Sequence, residues 1–121
     1  LGFKDRVPVD AAALFDLRVL PNPHFVDELR PKTGKDPEVA SYVMDAPATK
    51  ELLRHLRPLL DHTLPQYASE GKAYLTVAVG CTGGRHRSVA MAEELGRQLG
   101  EAHEVVVSHR DVQRAGPRAK R

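Results

Sequence analysis

The chain has 121 residues, 41% of them hydrophobic and 28% charged, with 18 Lys and Arg against 16 Asp and Glu. That length suits one domain with its own core, and that balance excludes a disordered or fibrous chain. No apolar run approaches the ~20 residues of a membrane-spanning helix, and a single cysteine excludes an internal disulfide, as fits a reducing cytoplasm. The net charge of +2 conceals an asymmetry. From His109 onward five basic residues (Arg110, Arg114, Arg118, Lys120, Arg121) face one acid, Asp111, so the remainder is slightly acidic. Positive charge gathered at one end suits contact with a polyanion. The chain opens on Leu1 and shows no signal peptide, so a fragment of a longer protein is expected.

In chain order, Leu1 to Arg6 reads as a strand or its end. Val7-Pro8-Val9-Asp10 is a turn, with Asp10 as N-cap of a brief helical turn over Ala11 to Leu14. Phe15 to Leu20 alternates apolar and charged residues, a strand signal that ends at Pro21-Asn22-Pro23. His24 to Lys35 has no period and carries Pro31, Thr33 and Gly34, so it reads as a long, functional loop. Asp36-Pro37 is the N-cap and first position of a helix running to Asp45. After Ala46-Pro47 a longer helix aligns Leu52, Leu53, Leu56, Leu59, Leu60, Leu64 and Tyr67 in one stripe and stops at Gly71. Pro58 is expected to kink or restart it, and Pro65 to disturb its last turns.

Leu75 to Val79 is a central apolar strand. It ends at Gly80-Cys81-Thr82-Gly83-Gly84, and an amphipathic helix follows from about Arg85, with Val89, Ala92, Leu95 and Leu99 as its stripe. Glu104 to His109 reads as a last strand, buried on both faces. The order argues α/β: a small, mostly parallel sheet of three to four strands flanked by helices, in a single domain. The domain is expected over 1–111, with a basic, flexible tail over 112–121. In such sheets ligands sit beyond the carboxyl ends of the strands. That places Arg18, Pro21 to His24, the Cys81 loop, His109 and Arg110 on one rim.

The strand, glycine turn and helix at Tyr74 to Gly100 form the arrangement that binds phosphate. Glycines let backbone N–H groups approach an anion, and the helix start adds unpaired N–H groups and a positive dipole end. Arg85, His86 and Arg87 oppose that dipole unless an anion offsets them. The loop is not a Walker P-loop, because Arg85 stands where Gly-Lys is required. It does fit C-x5-R-S as Cys81, Arg87 and Ser88, the pattern of cysteine-dependent phosphatases. There the thiolate attacks phosphorus, the Arg holds the equatorial oxygens and the hydroxyl helps the thiolate leave. Cys81 reads equally as a small buried hydrophobe, and the glycines as a tight turn with no ligand. The six His and one Cys lack metal-ligand spacing, and no cofactor motif is present.

GCTGGRHRSV, read with Phe15 to Asp36 (FDLRVLPNPHFVDELRPKTGKD) and the closing His109-Arg110-Asp111, resembles the C-terminal domain of the RapZ/YvcJ family. The resemblance runs from Leu1-Gly2-Phe3-Lys4 to about Asp111. It implies a cytoplasmic bacterial protein whose N-terminal P-loop domain, outside this chain, binds nucleotide. It also implies a C-terminal domain that binds RNA and, in studied members, an amino-sugar phosphate such as glucosamine-6-phosphate. Ligand contacts carry over to Asp16, His24, Thr82, Gly83 and Arg87. An amino-sugar's ammonium and hydroxyls would give a carboxylate such as Asp16 its purpose there.

The expected function is therefore a non-catalytic regulatory module. A phosphorylated small molecule, or an anion such as phosphate or sulfate, sits on Cys81, Thr82, Gly83, Gly84, His86, Arg87 and Ser88, with Asp16 and His24. RNA binds the basic surface through Arg110, Arg114, Arg118, Lys120 and Arg121. Few aromatics favour recognition of RNA by shape and phosphate over base stacking. No membrane partner is expected, and homo-oligomerisation stays open. The alternative is a phosphatase with Cys81 as nucleophile and Asp16, Asp27 or Asp111 as general acid.

Overall fold

A computed structural model describes residues 1–3, 11–71 and 75–112 of the chain. Strand β1 spans Ala13–Asp16 and strand β2 spans Val77–Gly80. They pair in parallel, Ala13 opposite Val77 and Asp16 opposite Gly80. Gly2 adds one isolated parallel bridge to Cys81. Helix α1 spans Pro37–Met44, helix α2 spans Pro47–Ser69 and helix α3 spans Arg87–Leu99. The parallel pair needs a crossover, and α1 and α2 supply it. Among the described residues no helix is long and apolar enough to cross a membrane.

The α/β class stands, but the described sheet has two strands rather than three to four. The expected strand over Glu104 to His109 does not form, and the backbone of that segment makes no backbone hydrogen bond among the described residues. Three successive valines cannot all face one side of an extended chain. Val107 packs onto α3 where Gly96 has no side chain, while Val106 is left 92% exposed. High β-propensity gave the segment no partner edge to join. The helical turn expected over Ala11 to Leu14 is replaced by the start of β1. Pairing with β2 outweighs the helix preference of three alanines. Phe15 to Leu20 remains a strand only to Asp16; Leu17 and Leu20 then turn into the core at 0% and 4% exposure. Asp10, half of the first expected strand and residues 113–121 lie outside the described residues.

The helices follow their sequence signals more closely. Asp36 and Pro37 stand at N-cap and N1 of α1, although the Asp36 carboxylate accepts from Thr33 N at 2.8 Å rather than from the helix. α2 runs unbroken through Pro58 and Pro65, since each removes only one backbone donor from a helix held by its buried stripe. It ends before Gly71, whose φ is 83°. The core joins Leu17, Leu20, Val39, Val43, Leu56, Leu60, Val79, Met91 and Leu95, drawn from β2, all three helices and the exit of β1, with Phe15 of β1 packed against it.

The loop between β1 and α1 is sewn to the start of α3. Gly34 N donates to Arg85 O at 2.8 Å. A methyl on Gly34 would lie 2.5 Å from the His86 carbonyl oxygen and overlap Ala90 N, both backbone atoms that cannot step aside. Gly34→Ala is therefore expected to lower stability by about 1–3 kcal/mol. The urea midpoint should fall with an unchanged slope; a wild-type midpoint would show that the loop does not depend on this contact.

Candidate functional site

Because β1 and β2 run in parallel, their carboxyl ends lie side by side. The chain leaves β2 through Cys81 to His86 and enters α3 at Arg87, with His86 as N-cap. The helix thus starts two residues later than the sequence suggests, leaving Arg85 in the turn. Gly84 has φ 78°, where a side chain would be strained, and an added methyl would run into Gly2 and Leu1. Gly83 differs: an added methyl would meet nothing within 4 Å. Gly84 lets the turn form, and Gly83 leaves its backbone open to an approaching group.

The facing wall comes from the exit of β1. Pro23–Phe25 forms a short 3-10 helix whose cap residue, Asn22, accepts from His24 N at 3.1 Å. The two walls enclose a cleft of about 660 Å³. Cys81, Thr82, Gly83, Gly84, His86, Arg87 and His24, all expected from sequence, line it. So do Asn22, Phe25, Asp27, Arg30, Pro31 and Arg85. A 660 Å³ volume falls within the range typical of small-molecule sites.

Asp16 and Ser88 do not line the cleft. Asp16 closes β1 and is paired with Arg18, whose Nη2 lies 2.6 Å from its Oδ2. Arg18's hydrogen bonds hold its carboxyl down at about 2. Ser88 is buried in the first turn of α3, 1% exposed, beside the Cys81 sulfur. His109, expected on the same rim, instead meets Glu93 on α3 at 2.5 Å. Arg110 binds Asp111 Oδ2 at 2.9 Å and the Gly2 carbonyl at 3.0 Å. The remaining basic residues expected to meet RNA, Arg114, Arg118, Lys120 and Arg121, lie outside the described residues.

Charge in the cleft is unbalanced. Arg87 is 5% exposed, and its Nη1 donates to Arg18 O at 3.1 Å and Leu20 O at 3.2 Å. Arg85 donates to Val112 O at 3.3 Å and Pro31 O at 3.2 Å. Carbonyls satisfy donors without cancelling charge, and neither guanidinium is paired with a carboxylate among the described residues. Arg30 alone of the three lining arginines has one, Asp27 at 2.9 Å, and its Nε also donates to His24 O at 2.7 Å. A cleft with two uncompensated guanidinium groups, open glycine backbone and a helix N-terminus attracts anions.

Cys81 lies at the base, 3% exposed, and its sulfur accepts from Ser88 N at 3.4 Å. Burial pushes the thiol up, but hydrogen bonding from Ser88 and the Gly84 N–H, with the Arg87 charge, outweighs it. The net is a thiol below its ordinary value. His86 is shifted down, first by burial and also by the Arg85 charge. Its Nε2 stands 3.1 Å from the Arg30 carbonyl, so that nitrogen carries the hydrogen.

Among the lining residues of the 22–31 segment and the turn, Phe25, Arg30 and Pro31 have no role in the expected site, Asn22 and Arg85 only a place on the rim and in the turn, and Asp27 only the alternative role of general acid. The long loop after Pro21-Asn22-Pro23 marked the segment as functional, but without a period nothing said which side chains turn inward. For His86 the linkage has a definite sign. A base depressed on folding adds stability above its ordinary value of 6.5, lost as pH falls through that value. Urea midpoints should fall between pH 7.5 and 5.5, and His86→Gln should flatten that fall. Asp16 titrates below this window. A wild-type midpoint constant over the same range would contradict the burial of a neutral His86.

Comparison with known proteins places this architecture. A model of the RapZ C-terminal domain matches residues 1–113. A nucleotide-binding protein of Brevibacillus brevis is 56% identical over 113 residues, covering 93% of this chain and 39% of that protein. Proteins of the same name from Geobacillus kaustophilus (50% identical) and a Nocardioides species (54%) match over 93% of the chain and 38% of their own length. The chain thus spans less than two fifths of each of these relatives. With the family model covering the loop, the strands and all three helices, the chain belongs to the RapZ C-terminal domain family.

Proposed function

We propose that the cleft binds a phosphorylated small molecule and that the chain is a regulatory binding module rather than an enzyme. The observation that carries this is the pair Arg85 and Arg87, held by backbone carbonyls beside an open glycine turn. Burying a guanidinium without a counter-ion costs stability, and a ligand phosphate offsets that cost. The phosphate sits on Gly83 N–H, the Thr82 hydroxyl and the free N–H groups of Arg85 and Arg87. An amino-sugar phosphate such as glucosamine-6-phosphate suits the rest of the site. Its ammonium and hydroxyls find acceptors in Asp27, which lines the cleft, and in Asp16 once it shares Arg18. The relatives' name, nucleotide-binding protein, supports phosphate recognition within proteins more than twice as long. RNA meets the basic tail through Arg114, Arg118, Lys120 and Arg121, with Arg110 at its root, in a cytoplasmic setting.

Phosphorus NMR tests this. Titrating the protein into glucosamine-6-phosphate should shift or broaden the signal with no growth of inorganic phosphate. Gly83→Val fills the open side of the turn and should weaken binding at least about tenfold, with thermal stability close to wild type. An unperturbed signal at millimolar protein would sink the proposal.

The thiol lowered by Ser88, Gly84 and Arg87 favours one second reading, a cysteine-dependent phosphatase. It requires Arg87 to turn from the Arg18 and Leu20 carbonyls toward the phosphoryl oxygens. In that case inorganic phosphate grows during the titration, and Cys81→Ser abolishes the growth while binding persists.

A further inference from the structure

Phe25 occupies the cleft wall in a way that anion binding does not use. It is 78% exposed, against 38% for Tyr42, the next exposed aromatic among the described residues. Its backbone is nevertheless fixed. Pro23 is fully buried beneath it, Val26 N donates to Pro23 O at 3.0 Å, and Arg30 Nε holds the neighbouring His24 carbonyl at 2.7 Å. The His24 ring meets the Phe25 ring edge to face, with centroids 5.6 Å apart and planes at 81°. A large apolar ring is thus held on a braced turn, open to water, in the wall facing a phosphate-binding loop. A rigid aromatic loses little conformational freedom when a partner covers it, so its contact area converts well into affinity.

We propose that Phe25 is a specificity-determining residue: its ring receives the ring of the phosphorylated ligand while the phosphate rests on the Gly83 turn. This rests on the binding reading given above. The position selects phosphorylated ring compounds over inorganic phosphate and open-chain phosphates. Asp27 stands on the same wall with its side chain 86% exposed and only Oδ1 engaged by Arg30. A ring lying on Phe25 therefore has an acceptor beside it for a hydroxyl or amino group. A pyranose offers its C–H face and a nucleobase its π-face; both are rings with donors at the edge.

Calorimetric titration of the protein distinguishes the sources. The probes are inorganic phosphate, glycerol 3-phosphate, glucosamine 6-phosphate and adenosine 5′-monophosphate, against wild type, Phe25→Ala and Phe25→Trp. Wild type should prefer at least one ring phosphate over the two ringless probes. Phe25→Ala should cost that ligand roughly tenfold and leave inorganic phosphate unchanged, with Phe25→Trp restoring the loss. Whether the sugar or the nucleotide shows the loss names the ring. Equal loss for inorganic phosphate would reveal a merely structural role and overturn the inference. Phosphate binding with no ring preference would overturn it too, while leaving the binding module intact. Failure of every probe to bind wild type would remove both.

Discussion

A buried guanidinium spanning two elements is the constraint around which this domain is arranged. Arg87 leaves the first turn of α3 and reaches back to the carbonyls of Arg18 and Leu20, just past β1. Those bonds fix the helix start against the strand exit, and the cleft lies between them. The arrangement costs stability: the cation sits at the positive end of a helix, at 5% exposure, with neutral partners. A leucine or methionine there would pack without that penalty. Local rules are broken most clearly where a site needs them broken, which is the reason to propose Arg87 for the site.

Around that contact the turn divides its labour. Gly84 serves the fold, because its φ and the nearness of Gly2 exclude a side chain. Gly83 is free for the proposed ligand, because nothing fills the space beside it. Cys81 stands between the two roles. Its sulfur accepts from one of the N–H groups that every helix start leaves unpaired, so it caps α3 in place of a hydroxyl. The contact that caps the helix also lowers the thiol, so the lowered value alone does not require a nucleophile.

Much of the site was legible in the sequence, and the reasons for the rest are physical. The glycine turn, Arg87 and the run from Cys81 to His86 were readable because strand, glycines and helix lie within one short stretch. Their geometry follows from local rules. His24 was placed on the rim by the strand end and given a ligand role by family resemblance, whereas Phe25 and Arg30 escaped the expected site because the 24–35 loop has no period to orient its side chains. In the fold, α1 and α2 carry first-turn prolines and apolar stripes that act within each helix. The 104–109 segment carries β-propensity, but a strand also needs a free edge in reach, and sequence does not reveal that. The three alanines before Phe15 erred the opposite way: a helix preference worth tenths of a kcal/mol per residue yields to ladder pairing. Asp16 was read near the start of a strand running to Leu20; it closes β1 instead, and its partner two residues on, Arg18, already holds it.

The stitching of the 30–34 loop to the 85–86 turn bears on how the cleft works in time. Gly34 N to Arg85 O, Arg85 to Pro31 O and His86 to Arg30 O tie the two segments at three points. Segments laced this way are not a gate that swings. On the proposed reading a ligand would arrive at a mouth already shaped for it, with capture paced by diffusion and electrostatic attraction, and occupancy by how quickly the ligand escapes. If the cleft binds as proposed, such a module would follow its ligand promptly, reading concentration much as an indicator dye does, without the delay of closing a lid.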